Sequence, residues 1–157
     1  MKNETQNTAV KAPSLIDHPP RSPRVLLGGY ALLPRLLDKC RADIAGQLGE
    51  YHTNCPIDQE FLDYAGIDYD ALRQQVAEGL SDGELLDWIK ENASISRTPW
   101  EIEQWSSYQN QRAPEPNTDL SAYFLEVLAS HNKSRGDVRT WVDLLDLDDY
   151  CSFGGAA

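Results

Sequence analysis

Four cationic side chains in the segment 20–45 are the residues of this sequence best suited to bind an anion. They lie around the pair Gly28-Gly29 and the start of a helix predicted near Leu33-Pro34. Glycines let a ligand approach the backbone, and the N-terminus of a helix attracts negative charge. Cationic side chains also form strong hydrogen bonds with phosphate and carboxylate groups. We therefore predict a binding site for an anionic small molecule, formed by Arg21, Arg24, Arg35 and Lys39.

The same segment matches no phosphate-binding motif. It contains neither G-x-x-x-x-G-K-[ST] nor a G-x-G-x-x-G that follows a strand. The alternative is that the four cations pair with carboxylates elsewhere in the chain. Residues 1–41 carry seven basic and three acidic side chains, a net charge of +4, whereas residues 42–157 carry seven basic and 22 acidic ones, a net charge of −15. This asymmetry favours docking of the basic segment onto an acidic one, and it leaves the anion site open as the second interpretation.

The acidic counterpart is the segment 140–155, which contains Asp143, Asp146, Asp148 and Asp149. Carboxylates can hold a hard cation, but this spacing lacks the 12-residue series of an EF-hand. They could also supply a general acid or base if burial separated their pKa values. Pairing with Arg or Lys is the better interpretation, and no metal site is predicted.

Cys55 is the candidate nucleophile of the sequence. It stands directly before Pro56 at a predicted helix start, where free N–H groups favour a thiolate, and His52 lies three residues away as a candidate base. The simpler interpretation is a small apolar side chain beside a loop histidine. The chain has three cysteines at irregular spacing, which argues against a disulfide framework, and it lacks the four ligands of a zinc site.

Composition restricts the partners and the compartment. The net charge of −11 argues against nucleic acid and anionic membranes, which are polyanions. The first 20 residues lack a signal-peptide core, and no run of 18 apolar residues occurs. We expect a cytoplasmic protein that binds neither nucleic acid nor membrane, and the sequence points to no cofactor.

Apolar residues recur at helical spacing along most of the chain, and no run alternates as a strand would. Helix starts are indicated by the capping boxes Ser81–Glu84 and Thr98–Glu101. The pattern predicts an all-α fold: a single compact domain of about seven short helices at 20–157, preceded by a disordered, mobile tail at 1–19. The last helix is predicted to start near Asp137 and to be deeply buried, with Asp143 and Asp146 in or near the core.

The sequence resembles a family of bacterial proteins of about 150 residues that is known only as a domain of unknown function. The resemblance covers residues 20–156, and it rests on PRSPR at 20–24, LGGY at 27–30, LPRLLDK at 33–39, GEY at 49–51, NCP at 54–56, DGE at 82–84 and WVDLLDLDDYCSFGG at 141–155. It implies no activity, cofactor or catalytic residue.

Two functions therefore remain open. The first is a non-enzymatic binding or regulatory protein that recognises an anionic small molecule or a protein partner where the basic segment meets the acidic last helix. The alternative is a small enzyme centred on Cys55 or on an aspartate of the last helix. We favour the first, because the sequence shows no complete catalytic set.

Overall fold

The predicted all-α class is confirmed. The structure, a computed structural model, describes residues 10–157. These residues form seven helices and no strand: α1 Leu33–Ile44, α2 Pro56–Ala65, α3 Tyr69–Ala77, α4 Asp82–Asn92, α5 Pro99–Gln111, α6 Asp119–Asn132 and α7 Trp141–Ser152. None of the helices in this part of the chain is long and apolar enough to cross a bilayer.

Helix α1 is the central element of the fold, since nine of its 12 residues are buried. One face carries the predicted apolar stripe, in which Leu33, Leu36 and Leu37 are at most 1% exposed. The opposite face is charged, yet Arg35 and Lys39 are only 5% and 4% exposed. A buried charge is costly unless it is paired, so this helix needs carboxylates from its neighbours.

The larger apolar core surrounds the apolar face of α1. It contains the buried residues Tyr30, Leu33, Leu36, Leu37, Cys40, Phe61, Leu62, Ala65, Ile67, Leu72, Val76, Leu85 and Ile89. Tyr30 packs edge-on against Phe61 with ring centroids 5.1 Å apart, and Trp105 stacks on Tyr64 at 4.9 Å. These contacts join the loop before α1 and helix α5 to α2.

A smaller core lies between α6 and α7. Its buried residues are Phe124, Leu128, Val138, Leu144 and Leu147. Trp141 closes one side of it, edge-on to Phe124 at 5.3 Å. The backbone N–H of Trp141 donates to the carbonyl of Arg112 at 3.0 Å, which ties the start of α7 to the end of α5. The two cores therefore adjoin each other within the described residues.

The predicted start of the last helix was wrong. Helix α7 begins at Trp141, whereas residues 135–138 form a turn in which the N–H of Val138 donates to the carbonyl of Arg135. Thr140 is the N-cap: its side chain accepts from the N–H of Asp143, and the Asp143 carboxylate accepts from the N–H of Thr140. This capping box fixes the helix start at Trp141, four residues later than the predicted start at Asp137. The two predicted boxes, at Ser81 and Thr98, are confirmed.

The N-terminal segment is anchored to the domain at Leu15. Residues 1–9 of the predicted tail lie outside the described residues. Leu15 is 1% exposed, and its N–H donates to the carbonyl of Gln47 at 2.9 Å. Gly49 permits this approach, because its φ is +62° and a Cβ there would lie 2.7 Å from the carbonyl oxygen of Leu15. The division between tail and domain at residue 20 stays a prediction.

Candidate functional site

The basic segment and the last helix are joined by ion pairs. Arg24 bonds to the carboxylates of Asp143 and Asp146, with 3.0 Å between its Nε and Asp146 Oδ2. Arg35 donates to both oxygens of Asp149, over 2.7 Å from Nη1 and 3.2 Å from Nη2. The predicted docking of the basic segment onto the acidic helix is therefore confirmed.

The two aspartates predicted in or near the core lie closer to the surface. The side chains of Asp143 and Asp146 are 28% and 36% exposed. Asp149 is the buried carboxylate, with 8% of its side chain exposed. Helix α7 is apolar on most of its circumference, so its sequence alone does not show which aspartate faces α1. The buried one is the aspartate that contacts Arg35.

Arg21 belongs to a separate charge cluster at the start of α4. It donates to Asp38 and to Asp82, and the distance from its Nη1 to Asp82 Oδ2 is 2.7 Å. Arg41 reaches the same carboxylate at 2.7 Å. Burial raises the pKa of Asp82, but hydrogen bonds from the two arginines outweigh that effect and hold its pKa below the usual value. This cluster fixes the basic loop to α1 and α4.

A cleft of about 780 Å³ lies between the charged face of α1 and the α6–α7 pair. Its volume is within the range of small-molecule sites. Arg35 and Lys39 line it, whereas Arg21 and Arg24 are outside it. The four predicted anion-binding residues are thus divided: two face this cleft, and two hold the loop to carboxylates on α1, α4 and α7.

Arg35 lies at the polar side of the cleft. Besides the bonds to Asp149, its Nη1 donates to the carbonyl of Arg21 at 3.3 Å. The Tyr51 hydroxyl donates to Asp149 at 2.7 Å, and the Arg35 guanidinium carbon lies 5.6 Å from the Tyr51 ring centroid. Burial, then the bond to Asp149, raises the pKa of Tyr51. Burial lowers the pKa of Arg35, but Asp149 outweighs it and keeps the guanidinium charged.

Lys39 is surrounded by acceptors of the protein itself. Its Nζ lies 2.8 Å from Asp58 Oδ1, 3.0 Å from the carbonyl oxygen of His52 and 3.4 Å from the sulfur of Cys55. An ammonium group has three N–H donors, as many as the acceptors that surround it here. Lys39 therefore contributes charge to the cleft, and a ligand would compete with these acceptors for its donors.

Cys55 faces the same cleft, with a partner that the sequence analysis missed. It is the N-cap of α2, and its hydrogen-bond donor is Lys39. The ring of His52 forms no hydrogen bond with the thiol among the contacts of residues 10–157; only its carbonyl takes part, through Lys39. Lys39 stands 16 positions before Cys55, on another helix, so a search for nearby bases could not find it.

The opposite wall of the cleft is apolar, and the sequence analysis did not predict it. It is formed by Leu120 and Tyr123 of α6, Trp141 and Leu145 of α7, and Phe153. Leu120 and Tyr123 are 62% and 57% exposed, although their helical spacing had suggested a core-facing stripe. Helix α6 packs on α7 through Phe124 and Leu128, which leaves these two at the cleft.

Arg112 brings a third cation to the cleft. Its Nη1 donates to Glu60 at 2.7 Å, and its Nε is a buried donor with no acceptor among the described residues. Arg112 follows the end of α5, where nothing in the local sequence distinguishes it from a surface arginine.

The aspartates of α7 do not converge. Asp143 and Asp146 bind Arg24, Asp149 binds Arg35, and Asp148 contacts Nε2 of His131 at 2.7 Å. Within the described part of the chain, no three His, Cys, Asp or Glu side chains are grouped so that they could hold a metal ion. These carboxylates serve as partners of basic side chains.

Helical packing, two adjoining cores and a cleft with a charged and an apolar wall define a small all-α domain. The chain belongs to the DUF5069 family, described as a domain of unknown function, which it matches over residues 17–151. The match includes the basic segment, the cleft residues on α1, α2 and α6, and α7 up to Cys151. No curated protein matches the chain.

Proposed function

We propose that this protein is a binding module for a small organic anion, which occupies the cleft between α1 and the α6–α7 pair. The observation that carries the proposal is the composition of the cleft. A buried cation, Arg35, stands at one side, and exposed apolar side chains such as Leu120 and Tyr123 form the other. Such a cavity suits a ligand with one charged end and one apolar end.

The contacts of Cys55 and Lys39 support binding over catalysis. A thiol enzyme needs a base that removes the thiol proton and a group that orients this base. The hydrogen-bond partner of Cys55 is an ammonium group that is itself held by Asp58 and by the carbonyl of His52. That arrangement favours a fixed, charge-balanced structure.

The exposed wall of the cleft allows a direct test with a matched control. The probe is 1-anilinonaphthalene-8-sulfonate, an aromatic anion whose fluorescence rises in apolar surroundings. Tyr123 lines the cleft and is 57% exposed, whereas Tyr108 on α5 is outside it and 59% exposed. Either tyrosine can therefore be changed to serine at little expected cost to the fold.

We expect saturable binding of one probe per chain, weakened at least about 5-fold by Tyr123→Ser and unchanged by Tyr108→Ser. A probe at 100 times its Kd would add about 2.7 kcal/mol of stability, which a thermal melt detects. Near-ultraviolet circular dichroism checks that both variants keep their tertiary packing. Absence of saturable binding, or equal weakening by both changes, would contradict the proposal.

One observation favours a second candidate, a thiol enzyme. The ammonium of Lys39, 3.4 Å from the sulfur, is the kind of cationic neighbour that reactive cysteines have. Cys151, also half-buried, is an internal reference in the same molecule. The enzyme requires that iodoacetamide alkylate Cys55 much faster than Cys151 between pH 6 and 9. Equal rates, measured by peptide mass spectrometry, would remove this candidate.

A further inference from the structure

We infer that the ligand is an amphipathic monocarboxylate, with its carboxylate on the free edge of the Arg35 guanidinium and its apolar body against α6 and α7. This inference rests on the proposed function and specifies the chemical class of the ligand. It follows from the hydrogen-bond donors that remain available in the cleft, from the charges around them and from the shape of the opposite wall.

The donors of Arg35 are only partly used. A guanidinium has five N–H groups, and three of them bond to Asp149 and to the carbonyl of Arg21. The remaining two, on Nε and Nη2, find no acceptor in residues 10–157. They lie parallel on one edge of the planar group, which matches the two oxygens of a carboxylate. Since Arg35 lines the cleft, we place the carboxylate of the ligand on this edge.

The surrounding charges favour a single negative charge on the ligand. Among the described residues, three cationic side chains line the cleft, and each already has a carboxylate partner: Arg35 has Asp149, Lys39 has Asp58, and Arg112 has Glu60. Glu50 and Asp148 add further negative charge to the lining. Each negative charge on a ligand is repelled by these carboxylates, so an anion with one charge is favoured over a phosphate monoester or a polyphosphate, which carry more.

Lys39 strengthens the same conclusion. Phosphate sites commonly use a lysine ammonium as a point charge. Three acceptors of the protein surround the Lys39 ammonium, which has three N–H groups, so a phosphate would have to displace one of them. Arg112, the other arginine of the lining, has its Nε enclosed by the protein. The free Nε–Nη2 edge of Arg35 remains, and a planar carboxylate is the complement of that edge.

The rest of the cleft requires an apolar body. Leu120, Tyr123, Trp141, Leu145 and Phe153 form its far wall. A hydrocarbon group that covers these side chains contributes binding free energy of roughly 25 cal/mol for each Å² of apolar surface removed from water. A volume of about 780 Å³ admits an aryl or alkyl chain attached to the carboxylate. A small polar acid such as acetate would leave these apolar side chains exposed to solvent.

The test uses three compounds of similar apolar body and different head group, titrated by calorimetry into the wild-type protein. They are 4-phenylbutyrate, its neutral amide, and 3-phenylpropyl phosphate. We expect 4-phenylbutyrate to bind at least 10-fold more tightly than either of the others. Because this comparison needs no variant, it does not depend on how a substitution affects folding.

Two conservative variants locate the carboxylate. Arg35→Lys keeps a cation beside Asp149 but removes the fork, and we expect it to lower 4-phenylbutyrate affinity at least 10-fold. Arg24→Lys makes the same change outside the cleft, and we expect it to leave the affinity unchanged. If Arg35→Lys does not fold, Tyr123→Ser at the exposed wall replaces it, with at least a 5-fold loss expected for 4-phenylbutyrate.

The outcomes separate this inference from the proposed function. Equal affinity for the acid and the amide, or tighter binding of the phosphate, would overturn the monocarboxylate while leaving the cleft as a binding site. Binding of anilinonaphthalenesulfonate with no binding of any of the three compounds would do the same. Failure of the sulfonate and of all three compounds would overturn the proposed function as well.

Discussion

The buried pair of Arg35 and Asp149 gives the sharpest prediction about stability. Both side chains are almost fully buried, at 6% and 8% exposure, and their atoms are 2.7 Å apart. Removing one partner of a buried pair costs about 3–5 kcal/mol, because the other charge is left without a partner. In Arg35→Met, Asp149 still accepts from the Tyr51 hydroxyl, so we expect about 3 kcal/mol, the lower end.

The surface pair of Arg24 provides the control. Arg24 is 41% exposed, and its partners Asp143 and Asp146 are 28% and 36% exposed. Exposed ion pairs contribute about 0–1 kcal/mol, so we expect Arg24→Met to stay within that range. The double variant Arg35→Met/Asp149→Leu replaces the buried charges with apolar groups, and we expect it to recover most of the loss.

Urea unfolding at pH 7, followed by far-ultraviolet circular dichroism, measures all of these free energies. A cost of about 3 kcal/mol lowers the Tm by about 6–12 °C in a domain of this size. The reasoning is refuted if Arg35→Met costs no more than Arg24→Met. It is also refuted if Arg35→Met and Asp149→Leu act additively, since a true pair must couple.

Three further results are expected. Leu15→Ala should lower the free energy of unfolding by about 2–5 kcal/mol in urea titrations, because Leu15 is 1% exposed; an unchanged midpoint would show that the segment 10–19 is not anchored. The pKa of Asp82 is lower in the folded state than in the unfolded state. The stability that its ionised carboxylate adds is therefore present at neutral pH and is lost as the pH falls below about 4. Wild type should therefore lose more stability than Asp82→Asn between pH 6 and pH 3, and parallel losses would contradict this. Burial raises the pKa of Cys40 to about 11, so iodoacetamide at pH 8 should label it only after unfolding; native labelling, seen in intact-mass spectra, would refute its burial.

Features that depend on a few neighbouring residues could be predicted from the sequence. The boxes at Ser81 and Thr98 each have a glutamate three positions later, and both helices begin where expected. The box at Thr140 uses Asp143 in that position instead of glutamate. The sequence analysis did not recognise this box, and it therefore predicted the start of α7 too early.

The site could be predicted only in part, because its pairs join distant parts of the chain. Arg35 and Lys39 looked no different from Arg21 and Arg24 in the sequence. Their roles diverge because Asp58 of α2 and Asp149 of α7 reach one face of α1 and pair with Lys39 and Arg35 there. The apolar wall at Tyr123 depends on how α6 lies on α7, which no local pattern contains.

The separation of Arg35 from Asp149 along the chain has a consequence during protein synthesis. The two residues are 114 positions apart. At a typical elongation rate of 5–20 residues per second, the ribosome needs about 6–23 s to make the aspartate after the arginine. During that interval α1 carries an unmatched cation on a face that the finished domain buries. Helix α1 must therefore remain solvated on that side, and the nascent chain can complete its native packing only once α7 has left the exit tunnel.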